Sequence, residues 1–409
     1  MSNTPPPLET PAAIVVRSRG SCLARSILLW GVFFIICFGL GYPTLNRYDS
    51  RKALPDSASY ARLATDGPSK VEGYFRFRIL TPYLVRPLYL LANGRVRSWD
   101  ALLFGFLLVN SFFVASTATL LFRIGYAQLG NYSVALVGAL LYLLNFTTPN
   151  AQLAGLVDAA EGFFLMAVVV SLFLGKWWLL PVVGILGALA KESFVPFSVT
   201  MAATWWLSSE RFRNHRLSAG SWIAGMATLE LVTVTALQSS ILGRLTWPWS
   251  FARGLDSHAN HLMVLAASLV DKDSWYILIW LLPLGLLRIR QFPHPWIRAS
   301  AAASFLGLLL NAYHTLPGVA GGVGRCIFSV AGPLLSLSTA AYLCETTPGS
   351  QTQTPSVGPG ARRHSVRDRL EFEVRKYSRG ATMNPVLKPK GLTSKGRDNA
   401  NPTCNDSPP

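Results

Sequence analysis

From Ser26 to Cys344 the chain alternates between long apolar runs and short stretches that carry arginine and lysine. A helix of roughly 20 apolar residues crosses about 30 Å of hydrocarbon, and it satisfies its backbone donors and acceptors internally where there is no water. The alternation predicts an all-α fold, a polytopic transmembrane helical bundle. Composition agrees: 14% of the residues are charged, against about 25% in a typical soluble domain. An ordinary soluble enzyme, a collagen-like chain and a wholly disordered chain are excluded. The net charge of +17 would otherwise invite a nucleic-acid partner. None is expected, because the basic residues are not gathered on a soluble domain.

About ten spans are expected, near residues 26–42, 99–122, 132–148, 153–174, 177–190, 194–208, 218–242, 275–289, 297–316 and 325–344. The first follows Arg17, Arg19 and Arg25 and lacks a small-x-small cleavage site, so it reads as a retained span. The fifth and sixth are separated only by Lys191-Glu192-Ser193. They are two spans meeting in a tight turn or one broken helix. Residues 79–91 contain Pro82, Arg86 and Pro87 and suit a surface-lying or re-entrant helix.

Arg123, Lys176, the Arg211/Arg213/Arg216 cluster and Arg288/Arg290/Arg298 then fall in inner loops, as the positive-inside bias requires. The chain divides into a cytoplasmic N-terminal tail (1–25), a membrane domain (26–344) and a basic cytoplasmic tail (345–409). The last is rich in Pro, Gly, Ser and Thr and is expected to be disordered. One loop breaks the bias. Outer loop 43–98, expected to bear surface-lying helices, holds ten Lys/Arg against four Asp/Glu.

Charge at membrane depth costs at least about 2.5–3.5 kcal/mol on insertion scales, so polar residues there need a reason. They cluster on the expected outer side. Asp49 and Asp56 follow the first span, with Tyr60 one helical turn beyond Asp56. A carboxylate there can act as general base toward a hydroxyl; equally, Asp56 after Pro55 fits a helix N-cap. Arg76 and Arg78 flank Phe77 and suit a phosphate, or they anchor lipid headgroups with snorkelling stems. Asp158 and Glu161 share a helix face, either to bind a sugar or cation or to pair with a cation from a neighbouring span. Lys191 and Glu192 stand between two spans, where a salt bridge to each other is the bland account. His314 and Arg325 bracket a Gly-rich loop. His258 and His261 lack a third ligand nearby, so no metal site is read. Five cysteines with no CxxC spacing support neither a disulfide framework nor zinc.

Four stretches resemble the C-type (GT-C) superfamily of multi-span membrane glycosyltransferases, in the manner of a poorly characterised bacterial member. They are Asp56-Ser-Ala-Ser-Tyr60-Ala-Arg-Leu-Ala, Phe75-Arg76-Phe77-Arg78-Ile-Leu-Thr-Pro82, Asp158 near the outer end of its span, and Ala190-Lys191-Glu192. The resemblance implies transfer of a sugar from a polyprenyl-phosphate donor to a lipid, glycan or protein at the outer face of a bacterial inner (plasma) membrane. It implies Asp56 as the base, with Asp49 second. It implies Arg76, Arg78 and Arg325 on the departing lipid phosphate, and Asp158 and Glu192 on the sugar or acceptor. The acidic pair characteristic of such loops is adjacent or nearly so, whereas Asp49 and Asp56 are seven apart, which leaves the identity of the base and a divalent cation open. Partners are the lipid-linked donor and membrane lipid; no protein partner is indicated. Two other classes compete, a transporter or flippase of amphipathic solutes and a non-catalytic scaffold acting through the tail.

Overall fold

The computed structural model describes residues 19–46, 55–95, 99–210, 216–248, 261–270, 274–275, 278–314 and 323–346. Asp49, His258, most of the Gly-rich loop after His314 and the tail from residue 347 lie outside them. The described residues form helices and turns, with no strand.

The chain opens with α1 (Arg19–Asn46). The expected outer loop supplies α2 (Pro55–Asp66), 3-10 turns at Pro68–Lys70 and Gly73–Phe77, and α3 (Leu80–Ala92). Then come α4 (Ala101–Leu129), α5 (Tyr132–Leu143), a π-helical turn at Thr148–Gln152 and α6 (Asp158–Leu174). A 3-10 turn at Trp177–Leu179 leads into α7 (Leu180–Ala190), followed by α8 (Phe194–Ser208) and α9 (Arg216–Leu242). The remainder is α10 (His261–Val270), α11 (Leu281–Arg288), a 3-10 turn at Ile289–Gln291, α12 (His294–His314) and α13 (Val323–Thr346).

Among the described residues four helices, α1, α4, α9 and α13, are by length and composition apolar enough to cross a membrane. The expected ten spans are therefore not all matched by helices of spanning length. The reason lies in where the apolar runs break. The run at 132–148 forms a helix of 12 residues, those at 177–190 and 194–208 form helices of 11 and 15, and the one at 275–289 retains a helix of 8. At 1.5 Å per residue these measure about 12–23 Å, short of the roughly 30 Å hydrocarbon layer. The fifth and sixth runs are two helices turning at 191–193. α3 buries Thr81, Pro82 and Val85 and exposes Tyr83, Leu84, Arg86 and Leu90.

Local chemistry sets the helix ends. Asp100 caps α4 by accepting from the Leu102 and Leu103 amides at 2.9 and 3.2 Å. Gly130, at φ 69°, closes it in the left-handed conformation that glycine adopts without penalty. Asn131 caps α5 one residue later, so α4 and α5 run antiparallel. α13 packs against both. A Cβ on Gly125 or Gly138 would stand 2.5 or 2.6 Å from Leu337 Cδ2, and on Gly138 also 3.1 Å from the Leu337 Cα, so glycine lets these helices approach closely.

Short connections make successive helices antiparallel. The C-terminal ends of α1, α5 and α7 thereby gather at one end of the bundle with the N-terminal ends of α4, α6, α8 and α13. Gly41 of α1 meets Leu107 and Leu153 there, and Gly162 of α6 faces Ser329 of α13. α2 is tied to the same end by Ser57 Oγ, which donates to the Ala154 carbonyl at 3.0 Å.

Candidate functional site

That end holds a cavity of about 750 Å³. Its polar floor begins with how α6 starts. After the π-helical turn, Asn110 of α4 donates to the Leu156 carbonyl at 2.9 Å. This bond and that from Ser57 pin 153–157 and aim the first turn of α6 inward. Asp158 and Glu161 occupy that turn, where the helix dipole favours negative charge. Their exposures are 9% and 0%. Buried carboxylates need partners, and Lys191 supplies both: its Nζ donates to Asp158 Oδ1 at 2.7 Å and to Glu161 Oε2 at 2.8 Å. Ser193 Oγ donates to the other Glu161 oxygen at 2.5 Å. Burial alone would depress the Lys191 ammonium pKa, but the two carboxylates raise it well above its ordinary value.

A second cluster adjoins. Arg78 forms a two-pronged ion pair with Glu192; its Nε lies 2.9 Å from Oε2, and its Nη1 donates to Tyr60 Oη at 2.6 Å. The guanidinium sits 4.5 Å over the Tyr74 ring and 5.8 Å from that of Phe75. Burial opposes charge on both partners. The pair outweighs it, lifting Arg78 well above its usual range and holding Glu192 below the usual carboxylate range. Burial pushes the Tyr60 phenol up, with Arg78 acting against it.

The structure brings Asp56, Tyr60, Arg78, Asp158, Lys191, Glu192 and Arg325 onto the one cavity. Four of its six charged groups are spent on ion pairs, Arg78 with Glu192 and Lys191 with Asp158. Two are not. Among the described residues, no hydrogen bond or ion pair reaches the carboxylate of Asp56 or the guanidinium of Arg325. Asp56 lies inside the first turn of α2 and accepts no capping bond, so the cap reading is not realised.

Two expected residues, Glu161 and Arg76, lie apart from the cavity lining. Glu161 is fully buried behind Lys191. Arg76 places its guanidinium 5.1 Å over the Phe77 ring, with Nε buried and unpartnered. His314 ends α12, and its side chain is outside the described residues, as is Asp49. Lys191 and Glu192 do not bridge each other, since Lys191 turns to Asp158 and Glu161 of α6 and Glu192 to Arg78, just after the Gly73–Phe77 turn. Tyr74, Ser193 and Cys326 were not singled out from the sequence, yet all line the cavity. Each is within four residues of a singled-out charge, which was the available signal. Among the described residues no three His, Cys, Asp or Glu side chains are grouped to hold a metal ion.

Away from this floor the wall is apolar, built from Val199 of α8, Leu231 and Val234 of α9, and Leu310 of α12. The cavity is amphipathic, with charged groups at one side and hydrocarbon-like surface at the other. Such a shape takes a molecule with a polar head and an apolar chain.

No protein-family model, curated protein or solved structure matches this chain.

Proposed function

We propose that the protein is a membrane glycosyltransferase that moves a sugar from a polyprenyl-phosphate donor to a hydroxyl acceptor. The observation that supports this reading is that, among the described residues, no ion pair or hydrogen bond reaches the Asp56 carboxylate or the Arg325 guanidinium, in an amphipathic cavity whose other four charges are paired. An unpaired carboxylate is a base with its lone pairs available. An unpaired guanidinium offers donors matched to phosphate oxygens.

In the reaction Asp56 takes the proton of the acceptor hydroxyl. The acceptor oxygen bonds to the anomeric carbon as the bond from that carbon to the phosphate oxygen breaks. The leaving polyprenyl phosphate keeps the electron pair, and Arg325 stabilises its charge. Arg78 and Lys191 act from behind as fixed charges that hold Glu192 and Asp158 toward the sugar. The apolar wall of α8, α9 and α12 accommodates the start of the lipid chain. The cavity opens at the outer face of a bacterial plasma membrane, with both termini cytoplasmic.

Asp56→Asn removes the base while keeping shape. Because Asp56 makes no bond that folding relies on, the variant is expected to match wild type in membrane abundance and unfolding within about 0.5 kcal/mol. Sugar transfer, measured with a polyprenyl-phosphate sugar, should fall by about 10²–10⁴-fold, the usual worth of general base catalysis. Full activity in this variant refutes the base assignment. Labelling of a cysteine at position 56 only from the cytoplasm refutes the orientation.

A further inference from the structure

Glu230 stands at the middle of α9, a helix of 27 residues that is apolar enough to cross a membrane. Either end of the helix is about 20 Å away. Its exposure is 0%. Gly184 of α7 makes room for it: a Cβ there would come within 3.0 Å of Glu230 Cγ and Oε1. One carboxyl oxygen, Oε1, lies 2.9 Å from Ser198 Oγ of α8, and the other, Oε2, is buried with no partner.

The Ser198 hydroxyl also lies 3.0 Å from the carbonyl of Val195. A hydroxyl has one hydrogen and two lone pairs. A carbonyl can only accept, so a bond to Val195 takes that hydrogen. A carboxylate at 230 would then face a lone pair with one oxygen and nothing with the other. A carboxylic acid satisfies both short distances in sequence, with Glu230 O–H donating to Ser198 and Ser198 O–H donating to Val195.

The surroundings agree. α7 and α8 carry no ionisable side chain, and α9 has only Arg216 besides, at its far end. Of the turns packed against α9, Trp177–Leu179 is uncharged and Gly73–Phe77 brings Tyr74 and Arg76. Among the described residues, Ser198 is the side chain within hydrogen-bond distance of the Glu230 carboxyl. A lone carboxylate desolvated to this degree is far costlier than the acid.

We infer that Glu230 is a proton-binding site inside the membrane bundle, whose proton fastens α9 to α8 through Ser198. The residues flanking it on α9, Ala227, Leu231 and Val234, line the apolar wall of the cavity. Loss of the proton makes Ser198 turn its one hydrogen from Val195 to the carboxylate, and the other oxygen, Oε2, stays buried as a charged acceptor with no donor. The α8–α9 seam loosens there, so proton occupancy governs the wall on which an apolar chain rests. This site is independent of the transfer reaction, and the Asp56→Asn result does not bear on it.

Infrared spectroscopy of the full-length protein in lipid reads the proton directly. At pH 7 the wild type should show the carbonyl stretch of a protonated carboxyl, lost when the sample is titrated to strongly alkaline pH. Glu230→Gln should lack the intensity of one such group. Ser198→Ala, a second variant, should shift the band, because the acid loses its acceptor. A wild-type spectrum at pH 7 with no protonated-carboxyl band overturns the inference, as does a band that Glu230→Gln leaves intact. An unshifted band in Ser198→Ala overturns the link to α8.

Discussion

Lys191→Met tests the packing of the site at its most loaded point. The ammonium bridges Asp158 and Glu161 at 2.7 and 2.8 Å, and the three side chains are 9%, 13% and 1% exposed. Methionine keeps most of the stem volume, so little cavity forms and the change isolates the charge. Removing one partner of a buried ion pair costs about 3–5 kcal/mol, because the other charge is left desolvated. Here two carboxylates lose one cation. A proton taken up by one of them relieves part of the penalty, which places the loss at about 3–4 kcal/mol at pH 7. At about 1.4 kcal/mol per decade, the unfolding constant should rise about 10²–10³-fold. The assay is equilibrium unfolding of the purified protein in mixed micelles, followed by tryptophan fluorescence. The deficit should shrink as pH falls and the carboxylates protonate, and Asp158→Asn combined with Lys191→Met should recover part of it. A single variant within about 0.5 kcal/mol of wild type at pH 7, the range of ordinary surface changes, would refute the reasoning that this cluster is desolvated and mutually dependent.

Acid stability supplies another test. Burial favours protonated Glu192, but Arg78 prevails and holds its carboxyl below the ordinary value. A depressed pKa stabilises the fold fully above the unfolded value, about 4.3 for glutamate, and the contribution disappears as pH falls through the folded value. Glu192→Gln should flatten the stability–pH slope below about pH 4.3; an unchanged slope contradicts the pairing. At the opposite end of the bundle, a Cβ at Gly138 would lie 2.6 Å from Leu337 Cδ2 and 3.1 Å from its Cα. Gly138→Ala should destabilise by about 1–3 kcal/mol. In combination with Leu337→Ala the losses should be less than additive, so strict additivity in unfolding would show that the two sites do not meet.

Much of the site was readable because burying charge is expensive. Asp56, Tyr60, Arg78, Asp158, Lys191, Glu192 and Arg325 stood out as polar groups near apolar runs, and all line the cavity. Glu230 escaped notice because one acid inside a long apolar run leaves the span pattern intact. Its meaning depends on Ser198, which is 32 residues away.

The sequence by itself determined the solvent and the secondary structure. Long apolar runs with few charges have no stable state in water except buried, and in lipid the helix satisfies the backbone within one segment. It did not determine how many runs become helices of spanning length. Hydrophobicity marks which residues avoid water, whereas breaks such as 153–157 and 191–193 are held by bonds to distant residues, Asn110 and Ser57 for the first and Asp158 and Glu161 for the second. Nor could it assign partners among the charges. Arg78 and Glu192 are 114 residues apart, and Lys191 passes over its neighbour for two acids on α6. Only the tertiary structure decided these pairings, because an ion pair depends on separation in space and on the dielectric around it. By pairing four of the six charges of the cavity it left Asp56 and Arg325, among the described residues, without an ion pair.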